Sequence, residues 1–489
     1  MATSILLKGG TVILHGDDDS LSTVRADVLI EGNTISKIEP SIATSAGCDV
    51  IDCTDKIVSP GFVDTHRHMW ETALKGLCED LTCVSYFAQM FTSSSVFTPE
   101  DVFWGSLAGC MEAIDAGTTS VLDFAHMNWS PEHGKRALAG TITSGIRSTF
   151  AYAPTVMPDV APEDLLPDWL MPSLALLAKS KHISPKDSKV TMGFGFDFYF
   201  LPKEFVLDIF SRVRSLGIRT VTSHWARFPG NKDNNLPSLL DSYGILDDRI
   251  VLSHVGGATS DDAEIIRKAG AFVSASPSVE TTMGLGPPLS FRDDFPGLDS
   301  VCSLGVDSHH ATSSSMANEM RAALLLARSA DIAKNLAGGK VPDKVCRTAH
   351  DAYIMGTIRG ARALGMEDQV GSIKVGKKAD IAIFDTMSTS MAGAAQHDPV
   401  TAIVMHSNIG DVETVIVDGI VRKRNGKLLP VSAVTWEESK GDFTEAEGTL
   451  EWREIVPHVL DTQRRFVNKL PEHDMGALKT FTRSLYNIP

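Results

Sequence analysis

The chain of 489 residues contains no run of about 18 consecutive apolar residues, so nothing in it could cross a bilayer as a helix. Its first residues, MATSILLKGG, hold a short apolar run with no basic segment before it. That run breaks at Gly9 and Gly10 as a strand entering a turn does, which argues against a signal peptide. Cysteine is scarce: Cys48, Cys53, Cys78, Cys83, Cys110, Cys302 and Cys346 are odd in number, scattered and free of any CxxC pair. No disulfide framework is expected, and a reduced, cytoplasmic setting follows. Basic residues are outnumbered, 45 against 61 acidic, for a formal charge of -16, and their single cluster is the short VRKRNGK stretch. Nucleic acid is thereby excluded as a partner, while the net charge itself says little about a substrate. There is no internal repeat and no low-complexity run. At 43% hydrophobic and 22% charged residues, neither disorder nor a coiled coil is indicated.

What is present is a change of pattern along the chain. From Ile5 to Ile51 short strands alternate with turns such as DDDS and EGN. From about Val58 to Met366, apolar strands alternate with longer helical segments. Eight strands can be placed: IVSPGFVDTH, TTSVLDF, RSTFAYAP, KVTMGFGF, IRTVTSH, RIVLSH, AFVSASP and SLGVDS. A representative helix is TPEDVFWGSLAGCMEAIDAG, with Thr98 as N-cap, Pro99 at its first position and Gly117 as its stop. Eight successive β-then-α units predict a closed parallel (β/α)8 barrel, that is, a TIM barrel of the α/β class. Short β segments return in GSIKVGKKADIAIFD and VETVIVDGIVRKRNGKLL, with DG and NG turns. The expected organisation is therefore a small β-sandwich domain formed by both chain ends (1–57 and 369–430) around the barrel (58–368). A helical, amphipathic extension over 431–489 is expected to pack against the body.

Candidate chemistry collects at the strand ends. His66 and His68 close the first barrel strand at a spacing that puts both on one face, where two imidazoles can hold one divalent ion. His224 closes the fifth strand, His254 the sixth, and Asp307 lies at the end of the eighth. Barrel active sites are built at that C-terminal face.

The stretch PGFVDTHRH, the two later strand-end histidines, the strand-eight aspartate and the trailing GSIKVGKKADIAIFD resemble the amidohydrolase superfamily over nearly the whole chain up to about Leu429. The closest resemblance is to its deaminase and chlorohydrolase branch. It implies His66, His68, His224, His254 and Asp307 as ligands of one divalent metal per chain, zinc first and iron as the alternative, since imidazole suits both. In that family the end of strand four can carry a carboxylated lysine bridging two metals. Lys189 opens KVTMGFGF rather than closing it, so a single metal is expected. A metal so held lowers the pKa of a water toward about 7. By resemblance Asp307 orients that water, takes its proton and passes it to the leaving group. A homodimer and a small-molecule substrate are implied as well.

Departures from the branch bear on substrate. Where its strand-five histidine is followed three residues later by a glutamate, this chain has Arg227, which cannot deliver a proton but could bind a carboxylate bidentately. The histidine-containing loop after strand four is replaced by GFDFYF, suggesting an aromatic wall of Phe196, Phe198 and Tyr199 with Asp197 as its one acid. Glu280 stands where an asparagine is common after strand seven, and with His254 it is expected to act beside Asp307 in catalysis. His126, His309 and Trp70 are further substrate-contact candidates, with Glu71 and His310 next to them. The expected activity is hydrolysis of a non-peptide C–N bond, in an amide, lactam or amino substituent of a small cyclic or aromatic substrate. A decarboxylase or other lyase anchoring a carboxylate on Arg227, a heteroaromatic deaminase or chlorohydrolase, and a silent scaffold are the alternatives. The filled ligand positions argue against the scaffold.

Overall fold

The computed structural model describes residues 4–155, 166–183, 188–228, 234–292, 295, 297–486 and 488. Eight strands form the central sheet: β1 (Phe62–Arg67), β2 (Thr118–Ala125), β3 (Arg147–Tyr152), β4 (Val190–Gly195), β5 (Val221–Ala226), β6 (Ile250–Gly256), β7 (Phe272–Ala275) and β8 (Cys302–Leu304). They pair in chain order, each parallel to the next. The circle closes where the Asp307 amide donates to His66 O at 2.8 Å and a parallel bridge joins Arg67 to Asp307. That closure needs a glycine: a Cβ on Gly305 would lie 2.7 Å from the His66 carbonyl oxygen. Residues of β1, β2, β3 and β6 are buried throughout, as expected of a sheet covered on both faces.

The first predicted strand divides in two. Lys56–Pro60 belongs to another sheet, and the chain crosses to β1 at Gly61, where any Cβ would fall 2.2 Å from the Thr119 side chain. That second sheet has nine strands, and both chain ends supply them. Its N-terminal part joins its C-terminal part where Lys56–Pro60 pairs antiparallel with Ile381–Asp385. The small β domain expected from the two ends is thus present beside the barrel.

The helices that position the site are α1 (Cys83–Met90), α2 (Pro99–Asp115), α3 (Ser260–Ala269), α4 (Trp452–Lys469) and α5 (Met475–Leu485). Thr98 caps α2 in a capping box with Asp101, and Pro99 opens the helix, as its sequence requires. The segment after Val431 departs from expectation. Instead of starting a helical extension, Val431–Glu437 and Asp442–Leu450 form an antiparallel hairpin, with helix only from Trp452. The alternation of VSAVTWE and the Gly441 turn are the β signals that the amphipathic stretch beyond them overshadowed. Helix α4 then docks on α2, with the Thr462 hydroxyl donating to Asp101 at 2.6 Å. Helix α5 docks on α1, with the rings of Phe87 and Tyr486 stacked at 4.8 Å. Among the described residues no helix is long and apolar enough to cross a membrane.

One buried charge cluster fastens the barrel to the small domain. Arg147, at the start of β3, donates to Asp380 at 2.9 and 3.0 Å and to Asp418 at 2.9 Å, and its side chain is 2% exposed. Arg147→Met would leave two carboxylates facing each other without a cation. Its unfolding free energy should fall by about 3–5 kcal/mol, measured by chemical denaturation; an unchanged midpoint would show that the cluster does not secure the junction.

Candidate metal centre

Five side chains meet in the barrel mouth. His66 lies in β1 and His68 just past it, His224 in β5, His254 in β6, and Asp307 in the turn after β8. Asp307 is the hub: its Oδ1 lies 3.3 Å from His66 Nε2 and 3.1 Å from His68 Nε2, and its Oδ2 lies 3.5 Å from His254 Nε2. His224 Nε2 faces His68 Nε2 at 3.3 Å. His66, His68 and His224 bring their ligand atoms within 4.8 Å of one another, and so do His66, His254 and Asp307.

The outer nitrogens explain why the inner ones converge. His68 Nδ1 donates to the Phe124 carbonyl at 2.9 Å, and His224 Nδ1 to Asp197 Oδ2 at 2.9 Å. A carbonyl and a carboxylate can only accept, so in both rings Nδ1 carries a hydrogen and Nε2 is the nitrogen left to meet a metal. His66 Nδ1 sits 2.9 Å from the Ser253 hydroxyl, and His254 Nδ1 lies 3.4 Å from Glu280 Oε1. All four imidazoles present Nε2 inward; Nδ1 is hydrogen-bonded behind in His66, His68 and His224, the arrangement that metal-ligating histidines adopt, while in His254 it faces the Glu280 carboxylate without a hydrogen bond. His66 Nε2 is moreover buried without a hydrogen-bond partner, as a ligand atom awaiting a cation would be. The residues fit a divalent ion.

Backbone geometry agrees. His254 and Asp307 have φ of 70° and 67°, left-handed values that residues with a side chain seldom adopt. Such strain gathers where side-chain direction serves a site. The charges are balanced within the cluster. Burial works against ionising Asp307, yet the His66, His68 and His254 imidazoles hold its carboxyl well below the usual range. Burial pushes His66 well below the ordinary imidazole value against the pull of Asp307. It also opposes charge on His68, but the Asp307 hydrogen bond and the fields of Glu71 and Asp307 prevail and carry that imidazole up to about 9.

Several substrate-site expectations change. Arg227 does not face the cavity: its guanidinium donates to Asp262 at 2.8 and 3.1 Å, with Nε on Asn234 O at 3.2 Å. Asp262 is also the capping-box residue of α3, so Arg227 ties the β5 loop to that helix and has no fork left for a substrate anion. His309 is turned away as well, held between Glu112 at 2.9 Å and Arg67 at 3.4 Å behind β1. Glu280 is buried off the cavity; its Oε1 accepts the Ser276 amide at 2.7 Å and backs His254, which makes it a positioning residue. Asp197 reaches the cavity wall, but both its oxygens are used by His224, through the backbone amide at 2.8 Å and Nδ1 at 2.9 Å. Trp70 and His126 do line the cavity, which encloses about 760 Å3. Of the predicted wall, Phe198 and Tyr199 line it, while Phe196 packs behind them, tilted against Phe198 and edge-on to Tyr199.

A residue that motif reading placed only near the rim proves central. Glu71 is fully buried; its Oε1 accepts from Tyr86 OH at 2.9 Å and lies 3.6 Å from His126 Nε2. Burial pushes its carboxyl up to about 7. Tyr86 OH is also 3.2 Å from Ser308 Oγ, whose hydroxyl donates to Asp307 Oδ1 at 3.4 Å, so Glu71, Tyr86 and Ser308 form a row of polar groups beside Asp307. Its position three residues past an HxH was the only sequence signal for Glu71, since its partners come from distant segments.

Comparison with known proteins accords with this geometry. The model of the amidohydrolase family matches residues 57–185 and 223–422. A 5'-deoxyadenosine deaminase of Methanobrevibacter smithii is 28% identical over 434 residues, covering 87% of this chain and 94% of that protein. A 5-methylthioadenosine/S-adenosylhomocysteine deaminase of Thermococcus kodakarensis is 28% identical over 442 residues, covering 85% and 93%. In fold, the chain is similar to a zinc-bound adenosine deaminase of Xanthomonas campestris, with a TM-score of 0.76, 18% identity, and 95% and 99% of the two chains covered. It is also similar to the zinc complex of atrazine chlorohydrolase from Arthrobacter aurescens, with a TM-score of 0.75, 20% identity, and 94% and 100% covered. The chain therefore belongs to the amidohydrolase family, as a metal-dependent hydrolase of carbon–nitrogen bonds other than peptide bonds.

Proposed function

We propose that the chain is a zinc-dependent aminohydrolase that replaces an amino substituent of a heteroaromatic ring by oxygen and releases ammonia. The observation that carries the reading is the convergence of four imidazole Nε2 atoms and the Asp307 carboxylate, with Nδ1 of His66, His68 and His224 hydrogen-bonded behind the rings. The donor set suits zinc and iron alike, and zinc is favoured by the bound zinc of two proteins of the same fold. The amino group is favoured over an amide or lactam because the curated relatives named above are deaminases. The decarboxylase alternative loses its support, since the arginine that would anchor a carboxylate is held by Asp262.

When bound, a divalent ion supplies the Lewis acidity that makes water a nucleophile near neutral pH. Asp307, ionised and 4% exposed, takes the proton of the attacking water and hands it to the departing nitrogen. A C–O bond forms at the ring carbon, the C–N bond breaks, and ammonia leaves. His254, steadied by Glu280, stands beside Asp307 Oδ2 to steer the developing charge. No glutamate follows His224 by three residues to protonate the ring. The pair formed by His126, on the cavity wall, and the buried Glu71 takes that place.

Ammonia release from 5'-deoxyadenosine, 5'-methylthioadenosine and amino-substituted pyrimidines and triazines tests the reading. We expect turnover of at least one, lost on chelation and regained with zinc, and a kcat about 10²- to 10⁴-fold lower for Asp307→Asn. Zinc-loaded protein that releases no ammonia from any of them would sink it. Glu71→Gln should lower kcat by about 10²-fold with zinc content unchanged; full activity would remove the relay through His126. A third test concerns protons. His68 keeps a proton up to about pH 9 and must shed it to ligate, so apparent zinc affinity should rise about tenfold per pH unit between about pH 6 and pH 8. Competition with a chelator of known pH dependence measures this, and a flat profile would contradict the assignment of His68.

A further inference from the structure

The cavity differs in chemistry between its metal end and its outer walls. Both of its aspartates, Asp197 and Asp307, are engaged by imidazoles at the ligand set. Among the described residues that line it there is no lysine and no arginine, so a phosphate or carboxylate on the outer walls would meet no counter-ion among them. The wall contributed from outside the barrel is apolar and aromatic. Helix α1 supplies Tyr86, Phe87 and Met90 and is followed by Phe91; helix α5 ends in Leu485, followed by Tyr486. The two helices are locked ring to ring, Phe87 on Tyr486 at 4.8 Å and Phe91 on Phe481 at 5.3 Å. Phe198, Phe200 and Phe228 line the cavity from the barrel loops and Trp225 from the end of β5. At about 760 Å3 the space lies in the upper part of the range for small-molecule pockets, roughly 300–1,000 Å3, and exceeds what one ring at the metal end requires.

We infer that α1 and α5 build a subsite for an uncharged aromatic or branched alkyl substituent, carried by the same molecule whose C–N bond is cleaved at the metal end. Only the reaction named for that end rests on the aminohydrolase reading; the subsite rests on the wall itself. Its occupant is part of the substrate because the space is continuous with His68, His224, His254 and Asp307. Nonpolar area buried against flat rings provides the binding, and the rings, each already packed on a neighbour, lose little freedom on contact.

Titration of the zinc-loaded full chain with N-phenyl-1-naphthylamine, a neutral fluorescent aromatic, tests the wall without any turnover. Saturable binding is expected, weakened about tenfold by Tyr486→Ala and by Phe87→Ala and retained by Tyr486→Phe, which keeps the ring and controls for folding. Absence of binding, or binding indifferent to both alanine variants, overturns the subsite. In parallel, deamination of 5'-S-methyl, 5'-S-butyl and 5'-S-phenyl thioadenosine should show KM falling as the substituent grows at nearly constant kcat, with the trend flattened in Tyr486→Ala. Deamination of all three with equal KM and no probe binding overturns the subsite and leaves the reaction standing. Ring-dependent probe binding with no deamination of any amino-heteroaromatic leaves the subsite and overturns the reaction.

Discussion

An imidazole has two nitrogens and can turn over, so four of them hold one cation only if something behind each ring decides which nitrogen faces in. In this chain that decision is made by a backbone carbonyl for His68, a carboxylate for His224, a hydroxyl for His66 and Glu280 for His254. Each backing group belongs to a different strand or loop from the ring it holds. Barrel closure, strand order and ligand geometry are consequently one constraint: shifting any strand by a residue would uncouple a ring from its support. Asp307 concentrates the dependence, because its amide closes the barrel on His66 while its carboxylate faces three of the rings.

This also explains which parts of the molecule were legible in the sequence. Strand-end histidines and an aspartate at barrel spacing are local signals, and the eight apolar strands carrying them read clearly because they are short, uniform and punctuated. The roles of charged residues were not local. Arg227 three residues beyond His224 looked available for a substrate until its partner proved to be Asp262, 35 positions away in the first turn of the helix after β6. Glu280 and His309 were misread in the same way, since only the fold brings Glu280 behind His254 and His309 onto Glu112. Glu71 was undervalued for the converse reason: burial, which gives it its character, is a tertiary property. The hairpin after Val431 was missed because a strongly amphipathic helix follows it and dominated the reading of the whole segment.

The site thus has two sources. The barrel supplies ligands and proton-handling groups on rigid strand ends, whereas α1 and α5 supply apolar walls from outside it. A division of this kind lets reaction and recognition vary separately, since a wall residue can change without disturbing any ring support. Tyr86 is where the two sources touch, because it lies on α1 and also holds Glu71.

The left-handed backbone at His254 and Asp307 has a consequence for how such a protein can be improved. Each position pays a conformational penalty of about 1–3 kcal/mol to throw its side chain across the barrel mouth. Glycine would relax either one, so a search that rewards only thermal resistance would drift toward removing two of the groups that face the cation. Stability and chemistry pull against each other at these two residues, and a robust version of this fold is best sought at the barrel junction and the helix caps, where no such conflict exists.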